Sequence, residues 1–167
     1  MSNVNIRLLF LLILLAFIFT ACGGKNGAEI QIEDAWVRAA LNMEMQNQDD
    51  SSSDEEDMGS QMSGANSAAY MTIINQGQQA DRLVSARSDV AQAVEIHISE
   101  MVDDIMTMHQ VEGVDLPAGK QVELKPGALH IMLIGINNDL NAGDRVALTL
   151  GFEKSGELEI EAEVRAP

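Results

Sequence analysis

From Ala68 onward, apolar and polar residues alternate in short runs: AAYMTIIN, DRLVSARS, AVEIHIS, IMTMHQV, QVELK, ALHIMLIGI, RVALTLGFE and GELEIEAEV. Each run is rich in β-branched and apolar residues, and turn-forming NQG, LPAG, KPG, NNDLNAGD and KSG stretches separate them. An earlier strand is predicted from Ile30 to Val37, with an irregularity at Asp34 where the alternation breaks. No long segment keeps a 3.6-residue period, so helices are not expected. Eight or nine short strands in about 130 residues predict an all-β fold, an antiparallel β-sandwich with Greek-key connections. The few aromatics leave the core to aliphatic side chains, with Trp36, Tyr70 and Phe152 as large packing pieces rather than ligands.

Two segments fall outside this pattern. Arg7 precedes an apolar run from Leu8 to Phe19, too short for a membrane span of about 20 residues and typical of a signal peptide, here 1–21. Thr20 and Ala21 before Cys22 resemble the lipobox of bacterial lipoproteins, although Phe19 stands where leucine is usual. Cys22 is then the lipidated residue and 22–29 its tether, the alternative being an ordinary secretory signal. The second segment, 41–66, holds seven acidic residues and no basic one, together with Met43, Met45, Met58 and Met62. It has too little apolar surface to offset the entropy of ordering and is expected to be a disordered insertion. Its methionines are either incidental or a loose copper scavenger.

At 167 residues, the chain has room for one ordinary domain. It carries 10 basic and 26 acidic residues, and without 1–21 the balance is 9 against 26. Such a surface repels phosphate backbones, so nucleic acid is excluded as a partner. With the sole cysteine committed to lipid, the rest of the chain has no thiol, which suits an oxidising extracytoplasmic compartment. A blue-copper centre, which needs a thiolate, and a redox CxxC motif are excluded as well.

The chemistry lies in His97, Met108, His130 and Met132, spaced H-x10-M-x21-H-x-M. Two imidazoles and two thioethers form a soft, uncharged donor set that favours copper, above all Cu(I). His130 and Met132 are two residues apart on one predicted strand and so share a face, with Leu129, Ile131 and Leu133 opposite. His97 alternates with Ile96 and Ile98, and Met106 and Met108 share a face opposite Thr107 and His109. Whether these three strands meet is left open by the sequence, as is any reserve role for Met101, Met106 or His109. No nucleophile stands beside a base, and four protein ligands leave no open position for a substrate, so an enzyme is not expected.

These residues and their flanks resemble the PCu(A)C family of extracytoplasmic copper chaperones. The resemblance runs from about Ile30 to Val164 through DAWVRAA, AAYMTIIN, ADRLVSARS, VEIH and LKPGALHIMLIGI, and all four ligand positions match. It implies a cupredoxin-like β-sandwich that binds Cu(I) through His97, Met108, His130 and Met132. It further implies delivery to the CuA centre of cytochrome c oxidase, in company with Sco-type proteins. Ala128 replaces a common second glycine, 41–66 is longer than usual, and no His/Met-rich tail precedes Pro167, so a second copper site of that kind is not expected. The expectation is a monomeric lipoprotein held at the extracytoplasmic face of a bacterial membrane. The alternatives are a copper buffer using the acidic insertion and an interaction module with no metal role.

Overall fold

A computed structural model describes residues 27–41 and 65–166. The predicted signal peptide, Cys22 and most of the 41–66 insertion, including its four methionines, lie outside the described residues. Ala65 and Asn66, which the sequence reading assigns to the insertion, are tied to the fold. The Ala65 carbonyl accepts from Ile136 N at 2.9 Å, and Asn66 Oδ1 accepts from Gly135 N at 3.0 Å.

The described residues form ten strands and no helix: β1 Ile30–Arg38, β2 Ser67–Asn75, β3 Asp81–Arg87, β4 Ala91–Val102, β5 Ile105–Gln110, β6 Val114–Leu116, β7 Lys120–Leu124, β8 Leu129–Ile136, β9 Arg145–Phe152 and β10 Gly156–Arg165. All predicted strands are present. β6 was not expected: three residues between Gly113 and Pro117 are too few to show an alternation. The strands follow one path, β5-β4-β8-β2-β1-β10-β9-β3-β6, with β7 beside β2. Most pairings are antiparallel as expected, but β1 and β10 run parallel, with Val37 opposite Val164. The first and last strands of the described residues are joined by no hairpin, so turn geometry does not impose an antiparallel direction on them.

One core lies inside this path, built from Val37, Ile73, Leu83, Ile96, Leu116, Leu124, Ile131, Leu133, Leu148 and Val164 among others. Every strand except β5 contributes to it. Burying each of these large side chains is worth about 1.5–3 kcal/mol. The predicted irregularity at Asp34 is a β-bulge: its φ is 48°, and the β1–β2 register shifts by one residue between Glu33 and Trp36. The extra residue reverses the alternation, so Ile32 before it and Val37 after it both reach the core. Trp36 is thereby turned to the outer face, opposite Tyr70 on β2. Phe152 joins the core as expected. Trp36 and Tyr70 pack against each other on the opposite face of β1 and β2, ring centroids 4.5 Å apart, with Tyr70 buried.

At the end of the sandwich formed by β3 and the β9–β10 turn, the buried Asp81 carboxylate accepts hydrogen bonds from the Arg82, Lys154 and Ser155 amides and from Ser155 Oγ. Desolvation pushes this carboxyl up, but the four hydrogen bonds outweigh it and hold its pKa below the ordinary value.

Candidate metal centre

The four predicted donors lie on three neighbouring strands, with β8 paired to β4 and β4 to β5. Apolar alternation sets the β4–β8 register, in which Ile96 stands opposite Ile131 and Val94 opposite Leu133 on the core side. A slip of either strand by one residue would drive its histidine into that core. In the observed register His97 faces His130 directly, and Glu95 faces Met132. Residues paired in this way share a face. The imidazole centroids are 6.0 Å apart and tilted by 48°, a gap spanned by two ring radii and two metal–nitrogen bonds of about 2.0 Å.

Met108 is placed by a tight hairpin. Val102 pairs with Ile105, and the intervening Asp103 and Asp104 have φ values of 50° and 63°, the left-handed pair of a type I′ turn. This turn sets Met108 opposite Ser99 and Gln110 opposite His97. Met108 is therefore the diagonal neighbour of His97 on the same face. His109 pairs with Ile98 on the reverse face, where its Nε2 is 4.0 Å from Glu100.

The two imidazoles are oriented by different partners. Between β7 and β8, Lys125-Pro126-Gly127-Ala128 forms a turn in which Ala128 N donates to the Lys125 carbonyl at 3.1 Å and Gly127 takes a φ of 77°. Proline followed by a left-handed glycine is the type II pattern. The turn presents the Ala128 carbonyl to His130 Nδ1 at 2.9 Å, and the same carbonyl accepts from Ser99 N. Nδ1 must donate in that bond, which makes Nε2 the acceptor nitrogen of the neutral ring. His130 is only 5% exposed, with the Tyr70 ring centroid 6.4 Å away. It does not lie on an open surface.

The geometry at His97 calls for the opposite tautomer of a neutral ring. Its Nε2 lies 2.8 Å from Glu95 Oε2, so the carboxylate accepts and Nδ1 keeps the lone pair. Nδ1 is buried with no hydrogen-bond partner. Leaving such an acceptor unsatisfied costs about 1–3 kcal/mol, and a cation on that lone pair removes the cost. A carboxylate behind a metal-bound imidazole fixes its tautomer and raises its basicity. Sequence reasoning missed Glu95, although the signal was present: it lies two residues before His97 and so shares its face. Met132 is half-buried between Glu95 on β4 and the small Ala68 on β2. Among the described residues, no group of three or more His, Cys, Asp or Glu side chains is arranged to hold a metal. This face carries the His97 and His130 imidazoles and the Met108 and Met132 thioethers, with Glu95, Met101 and Met106 on the same side.

Residues 30–164 match the family model described as "Putative lipoprotein LpqE-like". The chain belongs to this family. It is 31% identical over 130 residues to "Putative lipoprotein Lxx21020" of Leifsonia xyli subsp. xyli, covering 77% of this chain and 65% of that one. It is also 38% identical over 90 residues to the uncharacterized protein RP573 of Rickettsia prowazekii, covering 53% and 50%. The chain thus spans about half to two thirds of the length of these curated relatives. The LpqE-like domain has the fold of solved PCuAC domains. It superposes on the copper-bound PCuAC domain from PmoF2 with a TM-score of 0.60 and 27% identity, over 84% of this chain and 97% of that one. For the solution structure of CuI-DR1885 from Deinococcus radiodurans the TM-score is 0.57 at 24% identity, over 86% and 83%, a likeness of fold.

Proposed function

We propose that this LpqE-like protein is a Cu(I) carrier that binds one ion through His97, Met108, His130 and Met132. The observation that supports this reading most strongly is the direct pairing of His97 with His130, with the buried His97 Nδ1 lacking any other partner. The fold shared with a PCuAC domain solved with copper supports it independently. Neutral thioethers and imidazoles leave bound Cu(I) with a single positive charge, a weaker hold than thiolates give. Such a site retains copper and still releases it by stepwise ligand exchange to an acceptor bearing cysteines. The acceptor in this reading is the CuA centre of cytochrome c oxidase, with Sco-type proteins as companions. Cys22 carries the lipid that holds the monomeric carrier at the extracytoplasmic face of the membrane, where confinement raises its effective concentration near the acceptor. The protein itself performs no catalysis.

The test is anaerobic competition for Cu(I) against a chromogenic chelator. The wild-type chain is expected to take one tightly bound equivalent, and Met108→Leu and Met132→Leu each to hold it more weakly. Wild-type affinity in both variants would overturn the ligand set. Transfer to a soluble CuA fragment, retained after deletion of 42–64, tests delivery. Loss of copper capacity with that deletion would instead favour a buffer.

A further inference from the structure

Seven large hydrophobic side chains are exposed among the described residues, and five of them, Met101, Val102, Ile105, Met106 and Met108, lie in the β4–β5 hairpin. An edge hairpin that had only to remain soluble would carry charged or polar residues there. Instead Met101, Met106 and Met108 are 61%, 58% and 51% exposed. Met101 pairs directly with Met106, and Met108 is two residues along β5 on the same face, about 7 Å further by strand rise. Alternation places all three on the face of His97, while Glu100, Thr107 and His109 take the reverse face. The result is a line of thioethers running from the hairpin tip to the paired histidines.

We propose that Met101 and Met106, together with Met108, form a second, outer thioether site for Cu(I) through which the inner site is loaded and emptied. The proposal rests on the Cu(I)-carrier reading of the inner site. Directly paired and diagonal positions lie within reach of long side chains, and methionine has the flexibility to converge on one ion. Three neutral thioethers suit a soft monovalent cation and offer little to hard ions. Passage inward breaks the copper–sulfur bonds to Met101 and Met106 and forms copper–nitrogen bonds to His97 and His130 and a copper–sulfur bond to Met132, with Met108 retained throughout. Copper stays Cu(I), and no proton or electron moves, because thioethers carry no exchangeable proton.

The experiment follows methionine methyl resonances of the full chain, labelled at the methionine methyl carbons, in detergent during anaerobic titration with Cu(I) supplied as its acetonitrile complex. The first equivalent is expected to shift Met108 and Met132, and a second, held more weakly by Met101 and Met106 once Met108 is committed to the inner ion, to shift Met101 and Met106. The double variant Met101→Leu/Met106→Leu should bind the first equivalent with affinity within about twofold of wild type. Its loading and release should slow by about tenfold or more, through loss of locally concentrated ligands. Met101 and Met106 methyls that stay still through the second equivalent, or unchanged loading rates in the double variant, would overturn the outer site. A first equivalent that leaves Met108 and Met132 unmoved would instead overturn the inner site, so the two failures are distinguishable.

Discussion

His97 and His130 sit on paired strands, with their rings 6.0 Å apart and each held by a hydrogen bond from one ring nitrogen, whereas Met108 stands half-exposed on an edge strand that adds nothing to the apolar core. The imidazole half is anchored because the residues that alternate with it, Ile96, Ile131 and Leu133, are among the most buried in the molecule. The thioether half on β5 has no such backing, and local opening costs least where few apolar contacts are buried. A carrier needs this asymmetry: one side fixes the geometry that selects the ion, and the other lets a ligand be exchanged for an acceptor's.

The comparison predicts graded effects. The largest is expected at His130→Ala, which removes a donor packed between His97 and Tyr70. Cu(I) affinity measured by chelator competition should fall by more than the roughly 10–100-fold typical of losing an outer partner. A fall no larger than that of Met108→Leu would erase the distinction between the halves. Next is Glu95→Ala, expected to lower affinity by about 10–100-fold through misorientation of His97 while the far-ultraviolet dichroism of the β fold is retained. Glu95→Gln, which still offers an oxygen to Nε2, should recover part of the loss. Equal affinities in all three proteins would show that His97 needs no support.

Smaller still is the effect of Met101→Leu or Met106→Leu on equilibrium affinity, within about twofold if Cu(I) at the inner site uses neither. Asp81→Asn, at the end of the sandwich formed by β3 and the β9–β10 turn, should leave copper affinity unchanged. It should lower stability by about 1–3 kcal/mol through the damaged hydrogen-bond cluster, read from thermal unfolding at neutral pH. Because the folded Asp81 pKa lies below its ordinary value, the stabilisation is fully present above the unfolded pKa of about 3.9. It is lost as pH falls through the folded value, so the gap between wild type and variant should close in acid. A gap that widens in acid would contradict the direction of that shift.

Much of this was legible in the sequence. The alternation around His130 and Met132 fixed their shared face without any tertiary knowledge, and the break at Asp34 marked the bulge. What alternation cannot carry is the pairing of strands distant in sequence: His97 meets His130 across 33 positions because aliphatic residues on both strands share one core. The placement of Met108 depends on Asp103-Asp104, a type I′ turn without the glycine that usually announces one. Glu95 escaped notice because a lone carboxylate on a strand usually only faces water. Trp36 and Tyr70 are packing residues, as their size suggests, but alternation alone does not show that the Asp34 bulge turns Trp36 onto the outer face, beside a buried Tyr70 that neighbours His130.

The central claim is that one Cu(I) ion is held by two imidazole nitrogens and two thioether sulfurs on the β5-β4-β8 face. Copper-edge X-ray absorption on the full chain loaded with one equivalent of Cu(I) counts those neighbours directly. The account predicts a shell of two nitrogens and two sulfurs, with the sulfur contribution reduced in Met108→Leu and in Met132→Leu. A shell dominated by oxygen, unchanged by either substitution, would contradict it.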